Sequence, residues 1–131
     1  MSAKKTTART AKRRPRRRMG PDAELAVAVE AIRDRKGVDP VVIDLRKLSD
    51  ATDYFLVVSG TSDTHVRAVA ENVVEALNAR GVRPYNVEGL QVGRWVCLDY
   101  VDFVVHVFHP TLRAFYQLEG LWGDAPQSRP T

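Results

Sequence analysis

Apolar residues recur at helical spacing in three stretches of the chain and form short β-branched runs between them. Leu25, Ala28, Val29 and Ile32 line one helical face, and a basic last turn (Arg33, Arg35, Lys36) followed by Gly37 predicts where that helix stops. Asp39-Pro40 marks a turn, and Val41-Val42-Ile43-Asp44-Leu45 reads as a strand. Tyr54-Phe55-Leu56-Val57-Val58 is apolar on both faces, which predicts a strand covered on both sides. A second helix follows Gly60-Thr61-Ser62-Asp63, with Thr61 or Ser62 as its cap. Its stripe is Val66, Val69, Ala70, Val73, Val74 and Leu77, and Gly81 ends it. Pro84 to Gly93 reads as loop or short edge strand. Trp95–Tyr100 and Phe103–Phe108 read as two strands around a tight turn near Val101-Asp102. Pro110 fits the first position of a closing helix bearing Leu112, Phe115, Leu118 and Trp122.

The predicted order is α-β-β-α-(β)-β-β-α without internal repeats, which implies a mixed sheet packed between helices. The reading divides the chain into a disordered basic arm over 1–21, one α/β domain over 22–124 and a disordered tail over 125–131. At 131 residues and 44% apolar composition there is room for one real core.

Charge changes this picture. The formal net charge is +4, yet nine of the 20 Lys+Arg and none of the 16 Asp+Glu lie in residues 1–19. The remainder carries 11 basic against 16 acidic side chains, so a basic arm is joined to an acidic body and the pI of 9.5 describes neither. The arm has no periodic apolar face with which to offset its ordering entropy. Three readings of it stand: a solvated extension, with Met19 as an alternative start; a tether to RNA phosphates; or an organelle-targeting peptide, against which Pro15 argues by breaking an amphipathic helix. No apolar run reaches the ~18 residues of a membrane span, and Asp22, Glu24 and Glu30 interrupt any secretory signal. Cys97 is the single cysteine, which forbids an intramolecular disulfide and a paired-cysteine zinc site.

Candidate chemistry is sparse. Gly60-Thr61-Ser62, between a strand and a helix, could cradle a phosphate on its backbone N–H groups, and Asp99 with Asp102 could hold a divalent metal, as in nucleotidyltransferases. The Gly-x-Gly-x-x-Gly and Walker patterns are absent, however, and Asp-x-x-Asp spacing does not put both carboxylates on one face of a strand. His65, His106 and His109 have no cysteine partner; His106 fits a hydrogen bond within the sheet and His109 a cap for the last helix. Cys97 reads as a small buried hydrophobe. No catalytic residue, cofactor or metal is therefore expected. In Trp95–Tyr100, Trp95, Cys97 and Asp99 share one face and Val96, Leu98 and Tyr100 the other. One face serves the core, and the other is either a helix-packing surface or an aromatic-acidic patch for a basic partner, with Trp95 core in the first case and anchor in the second.

Several motifs, in this order, resemble the ribosomal silencing factor (Iojap) family: Thr52-Asp53-Tyr54-Phe55, Ser59-Gly60-Thr61-Ser62-Asp63-Thr64-His65-Val66-Arg67, Val87-Glu88-Gly89, Arg94-Trp95-Val96, Leu98-Asp99-Tyr100, Asp102-Phe103-Val104-Val105-His106-Val107-Phe108, and Phe115 to Gly123. The resemblance runs from about Glu24 to Asp124, leaving the arm outside. It implies a three-layer α/β/α domain, nucleotidyltransferase-like in fold but without enzymatic activity. It also implies a translational repressor that binds the large ribosomal subunit at its protein fourteen and sterically blocks the small subunit. An assembly role in the large subunit is the alternative, with a nucleotide-binding enzyme as a more distant one. Carried over residue by residue, the partner-binding positions are Trp95, Asp99, Tyr100 and Asp102. Nonspecific rRNA contact by the arm and a homodimer of the free protein are further expectations. So is a cytoplasmic location, or an organelle matrix if the arm is a transit peptide. The family often has glycine where this chain has Val101, and a β-branched residue resists positive φ, so a different turn geometry is expected there.

Overall fold

A computed structural model of the chain describes residues 20–116 and 125–130. The elements in chain order are α1 (Pro21–Asp34), β1 (Val38–Asp44), β2 (Tyr54–Ser59), α2 (Asp63–Asn78), β3 (Asn86–Glu88), β4 (Trp95–Asp99), β5 (Phe103–Phe108), α3 (Pro110–Tyr116) and β6 (Gln127–Ser128). The strands form one mixed sheet in the order β3-β4-β5-β2-β1-β6, in which only β2 and β5 run parallel. That parallel pair needs a crossover, which α2 supplies.

The two long helices pack on one face of the sheet and α3 on the other, giving the three layers expected. The larger core lies beneath α1 and α2, where Ala28, Ile32, Val66, Val69, Val73 and Leu77 meet Leu56, Val58, Val96, Leu98, Phe103, Val105 and Val107. A smaller core on the α3 side gathers Val41, Ile43, Leu45, Val57 and Phe108, with Phe55, Trp95 and Leu112 partly buried against it. The central strand β2 feeds both, which is why its sequence is apolar from Tyr54 to Val58.

Pro21 opens α1, so the helix starts within the stretch expected to be disordered; residues 1–19 of that arm lie outside the described residues. Both long helices close by the same pair of backbone bonds. In α2, Val82 N–H donates to Leu77 O and Gly81 N–H to Asn78 O, with Gly81 at φ 79. In α1, Gly37 N–H donates to Ile32 O and Lys36 N–H to Arg33 O, but the left-handed residue is Lys36 at φ 59. Gly37 is required for another reason: a Cβ there would come within 2.5 Å of Ile32 Cγ2 and 2.9 Å of Val58 Cγ2.

The C-terminal end corrects an expectation. Instead of a disordered tail from 125 onward, Ala125 is buried in the smaller core and β6 pairs with β1, Val42 opposite Ser128 and Ile43 opposite Gln127. Arg129 and Arg113 both reach Asp39, fastening tail and α3 to the bulge in β1. The tail is too polar for periodicity to betray a strand; backbone pairing to an otherwise open edge stabilises it. The expected later part of the closing helix, with Leu118 and Trp122, lies outside the described residues.

Candidate partner-binding face of strand β4

Strand β4 alternates between half-buried and buried along its length, half-buried at Trp95, Cys97 and Asp99 and fully buried at Val96 and Leu98. The antiparallel register with β3 sets Glu88 opposite Cys97 and Asn86 opposite Asp99. The register with β5 sets His106 opposite Cys97 and Val104 opposite Asp99. One face of three neighbouring strands thus carries Trp95, Cys97, Asp99, Glu88, Asn86 and Val104. Asn86 Nδ2 donates to Glu88 Oε2 at 3.0 Å along this face. Periodicity read on β4 alone missed Glu88, because its place depends on pairing with a strand of only three residues.

Trp95 borders the core without being sealed into it. Its ring packs on Phe108 at 4.9 Å between centroids and borders the smaller core, yet it remains half-buried. Its Nε1–H donates to His106 Nδ1 at 3.1 Å. His106 is 7% exposed, and burial pushes its imidazole down to about 4. It therefore stays neutral at physiological pH, hydrogen-bonded within the sheet as expected.

Tyr100 does not join this face. It is 2% exposed, lies under α1 and stacks on Phe103 at 5.1 Å and 16°. Burial, and then the neighbouring Glu24 carboxylate, push its phenol well above the usual range. Asp102 sits half-exposed in the turn at the end of the strand. Its carbonyl accepts from Asp53 N–H at 2.9 Å. Asp53 is raised above the usual carboxylate range by burial first and by Asp102 second. Trp95 and Asp99 thus share one face, Asp102 lies in the turn beside Asp53, and Tyr100 is turned to the opposite face.

The turn corrects another expectation. Val101 does take a positive φ, 73°, with Asp102 N–H donating to Tyr100 O at 2.8 Å and Tyr100 N–H to Phe103 O at 2.9 Å. A two-residue backbone bond around a residue of positive φ is the strained form of γ-turn. Asp99 Oδ1 accepts from Val101 N–H at 2.8 Å, and the strand ladder on both sides holds the conformation. Cys97 is half-buried rather than buried, and its thiol is pushed up to about 11 by burial first, then Asp99 and Glu88. That makes it a poor nucleophile.

The residues considered for nucleotide chemistry are not assembled. Gly60 N–H bonds Phe108 O at one end of β5, whereas Asp102 precedes the other end, six residue steps from Phe108, about 20 Å along an extended strand. Two of the loop's three donors are committed: Gly60 N–H to Phe108 O, and Thr61 N–H to His65 Nδ1 at 2.8 Å, while Ser62 Oγ caps α2 by accepting from His65 N–H at 3.1 Å. Gly60 is there for packing, since a Cβ would lie 2.7 Å from Val66 N of α2. Among the described residues no three His, Cys, Asp or Glu side chains are grouped to hold a metal. None of the described helices is long and apolar enough to cross a membrane.

The family model described as "Ribosomal silencing factor during starvation" matches residues 19–131. The chain belongs to the ribosomal silencing factor family. It is 40% identical over 102 residues to the ribosomal silencing factor of Bacillus subtilis, covering 78% of this chain and 86% of that one. It is 32% identical over 111 residues to the mouse protein named "Mitochondrial assembly of ribosomal large subunit protein 1", covering 82% of this chain and 49% of that one. The fold is that of a crystal structure from Chromobacterium violaceum, with a TM-score of 0.78 and 35% identity, covering 86% of this chain and 94% of that one. Ribosomal silencing factors are not known as enzymes, in keeping with the scattered nucleotide-type residues.

Proposed function

We propose that this silencing factor binds the large ribosomal subunit at its protein fourteen, through the half-buried face of β4, and represses translation by blocking access of the small subunit. The observation that carries the reading is the make-up of that face. A half-buried tryptophan stands among Glu88 and Asp99, with Asp102 at the adjoining turn. A rigid aromatic anchor bordered by carboxylates suits a basic protein surface: the ring supplies affinity and the charges steer approach and register. The work is steric occupation and requires no catalytic group. A cytoplasmic location fits this role. The basic arm would add nonspecific attraction to rRNA phosphates, so removing residues 1–18 is expected to flatten the salt dependence of binding while subunit blocking persists.

Co-sedimentation with purified subunits tests the proposal. The full chain is expected to pellet with the large subunit and to lower subunit joining at stoichiometric amounts. Trp95→Ala, checked for folded content by circular dichroism because the ring also borders a core, is expected to weaken binding roughly tenfold or more. A folded Trp95→Ala variant that binds normally would remove this face from the proposal, and unhindered joining would remove the function. A role in large-subunit assembly is the second reading, favoured by the printed name of the mouse relative. Immature large-subunit particles on depletion, with joining of mature subunits unaffected, would select it.

A further inference from the structure

We infer that His106 is a positioning residue for Trp95: its Nδ1 holds the indole N–H inside the sheet, so that the tryptophan offers its partner only carbon and π surface. The inference rests on the proposed function for what Trp95 touches, while the bond itself belongs to the isolated protein.

The register makes the contact possible. Trp95 stands opposite Phe108 and Cys97 opposite His106, so Trp95 and His106 are diagonal neighbours on one face of an antiparallel pair, within reach for long side chains. The imidazole cannot turn freely. Phe55 meets it edge-on at 4.6 Å and 77°, Phe108 lies parallel to it at 6.1 Å and 14°, and the residue is 7% exposed. Trp95 packs on the same Phe108 ring and donates its one polar hydrogen to His106 Nδ1 at 3.1 Å. A nitrogen that accepts cannot carry the proton, so the neutral ring is protonated at Nε2, and Nε2 is buried without a hydrogen-bond partner. The protein thus leaves one imidazole N–H unsatisfied while satisfying the indole.

The consequence concerns specificity. An indole with its N–H free would make the anchor a donor to backbone carbonyls on many surfaces. With the donor turned inward, the accessible part of the half-buried ring suits an aliphatic stem or a guanidinium laid against it, side chains in which a basic protein is rich. Glu88 and Asp99 on the same face complement that charge.

Three variants separate this role from plain packing. His106→Phe keeps a flat aromatic ring, somewhat larger than the imidazole, but removes the acceptor, and His106→Asn places an amide oxygen near the site of Nδ1. The third, Trp95→Phe, assigns the indole signal in nitrogen-proton correlation spectra. In His106→Phe, the Trp95 indole N–H is expected to move upfield and exchange with solvent about tenfold faster. Large-subunit affinity is expected to fall roughly three- to tenfold, the worth of one neutral hydrogen bond. His106→Asn should restore both in part. An unchanged indole resonance in His106→Phe, or a loss of affinity with that resonance unmoved, overturns the inference. If His106→Phe does not fold, the unaltered chain decides: Trp95 N–H exchange at the free-indole rate overturns it, and slowed exchange supports it. Normal binding by a folded Trp95→Ala variant refutes the interface role of Trp95, and the indole readout then reports on the hydrogen bond alone.

Discussion

Strand β4 turns Val96 and Leu98 toward α1 and α2, where both are fully buried, and Trp95, Cys97 and Asp99 toward α3, where each stays half-buried. The first face meets two long helices whose stripes supply apolar partners along the whole strand. The second meets a smaller core that covers the Trp95 end and thins toward Asp99, next to the edge strand β3. One strand thus does two jobs. Side chains on the helix side hold the fold, and those on the other side leave the Asp99 carboxylate and part of an indole within reach of water, the surface that the proposed function uses. Polar residues settle on the second face because they are not forced to give up water there.

That contrast can be broken most severely at Leu98. Leu98→Ala is expected to cost about 2–5 kcal/mol, read as a lowered urea midpoint, because a fully buried leucine leaves a cavity among rigid neighbours. A cost under ~1 kcal/mol would mean that the helix side is not the closed face. The next effect is pH dependence on the other side. The His106 imidazole is near 4 in the folded chain against an ordinary 6.5. Below pH 6.5 the unfolded chain takes up a proton that the folded ring refuses until about pH 4. Stability should therefore fall by about 3 kcal/mol across that window and level off beneath it. His106→Asn should remove this part of the slope in denaturation profiles collected at several pH values; an unchanged slope would show that the ring is not held neutral. A smaller gain is expected at the turn. Val101→Gly relieves a β-branched residue at φ 73, and after the larger entropy of glycine in the unfolded chain is subtracted should stabilise by about 0.5–1 kcal/mol. A loss instead would mean that the valine side chain contributes packing outweighing its strain. Smallest for the fold is Cys97. With its thiol at about 11, iodoacetamide should label it roughly a hundredfold more slowly at pH 8 than a free cysteine. Rapid labelling would contradict the burial of the thiol and the carboxylates of Asp99 and Glu88 beside it.

These contrasts were unevenly legible in the chain. The split of β4 into Val96-Leu98-Tyr100 and Trp95-Cys97-Asp99 follows from side-chain alternation, and it holds in the structure. So do both long helices, the capping Ser62 and the doubly covered β2, since spacing and turn residues are local signals. Three features were out of reach. The β6 pairing joins residues more than eighty positions apart with no apolar pattern of their own. Glu88 takes its place through a register that only the folded sheet defines. Val101 contradicts its own local preference because hydrogen bonds on both sides outweigh the strain of one residue.

By itself, the sequence determined the layered α/β body, its family through motifs in fixed order, and the separation of a basic arm from an acidic body. All of these are written in residue type, spacing and order along the chain. Only the tertiary structure decided that Gly60 and Asp102 lie at opposite ends of the sheet, that Tyr100 is sealed under α1, and that Trp95 is tied to His106. Those facts depend on which strands become neighbours and in what register, and pairing across a sheet is settled by burial summed over the whole molecule rather than by any one segment.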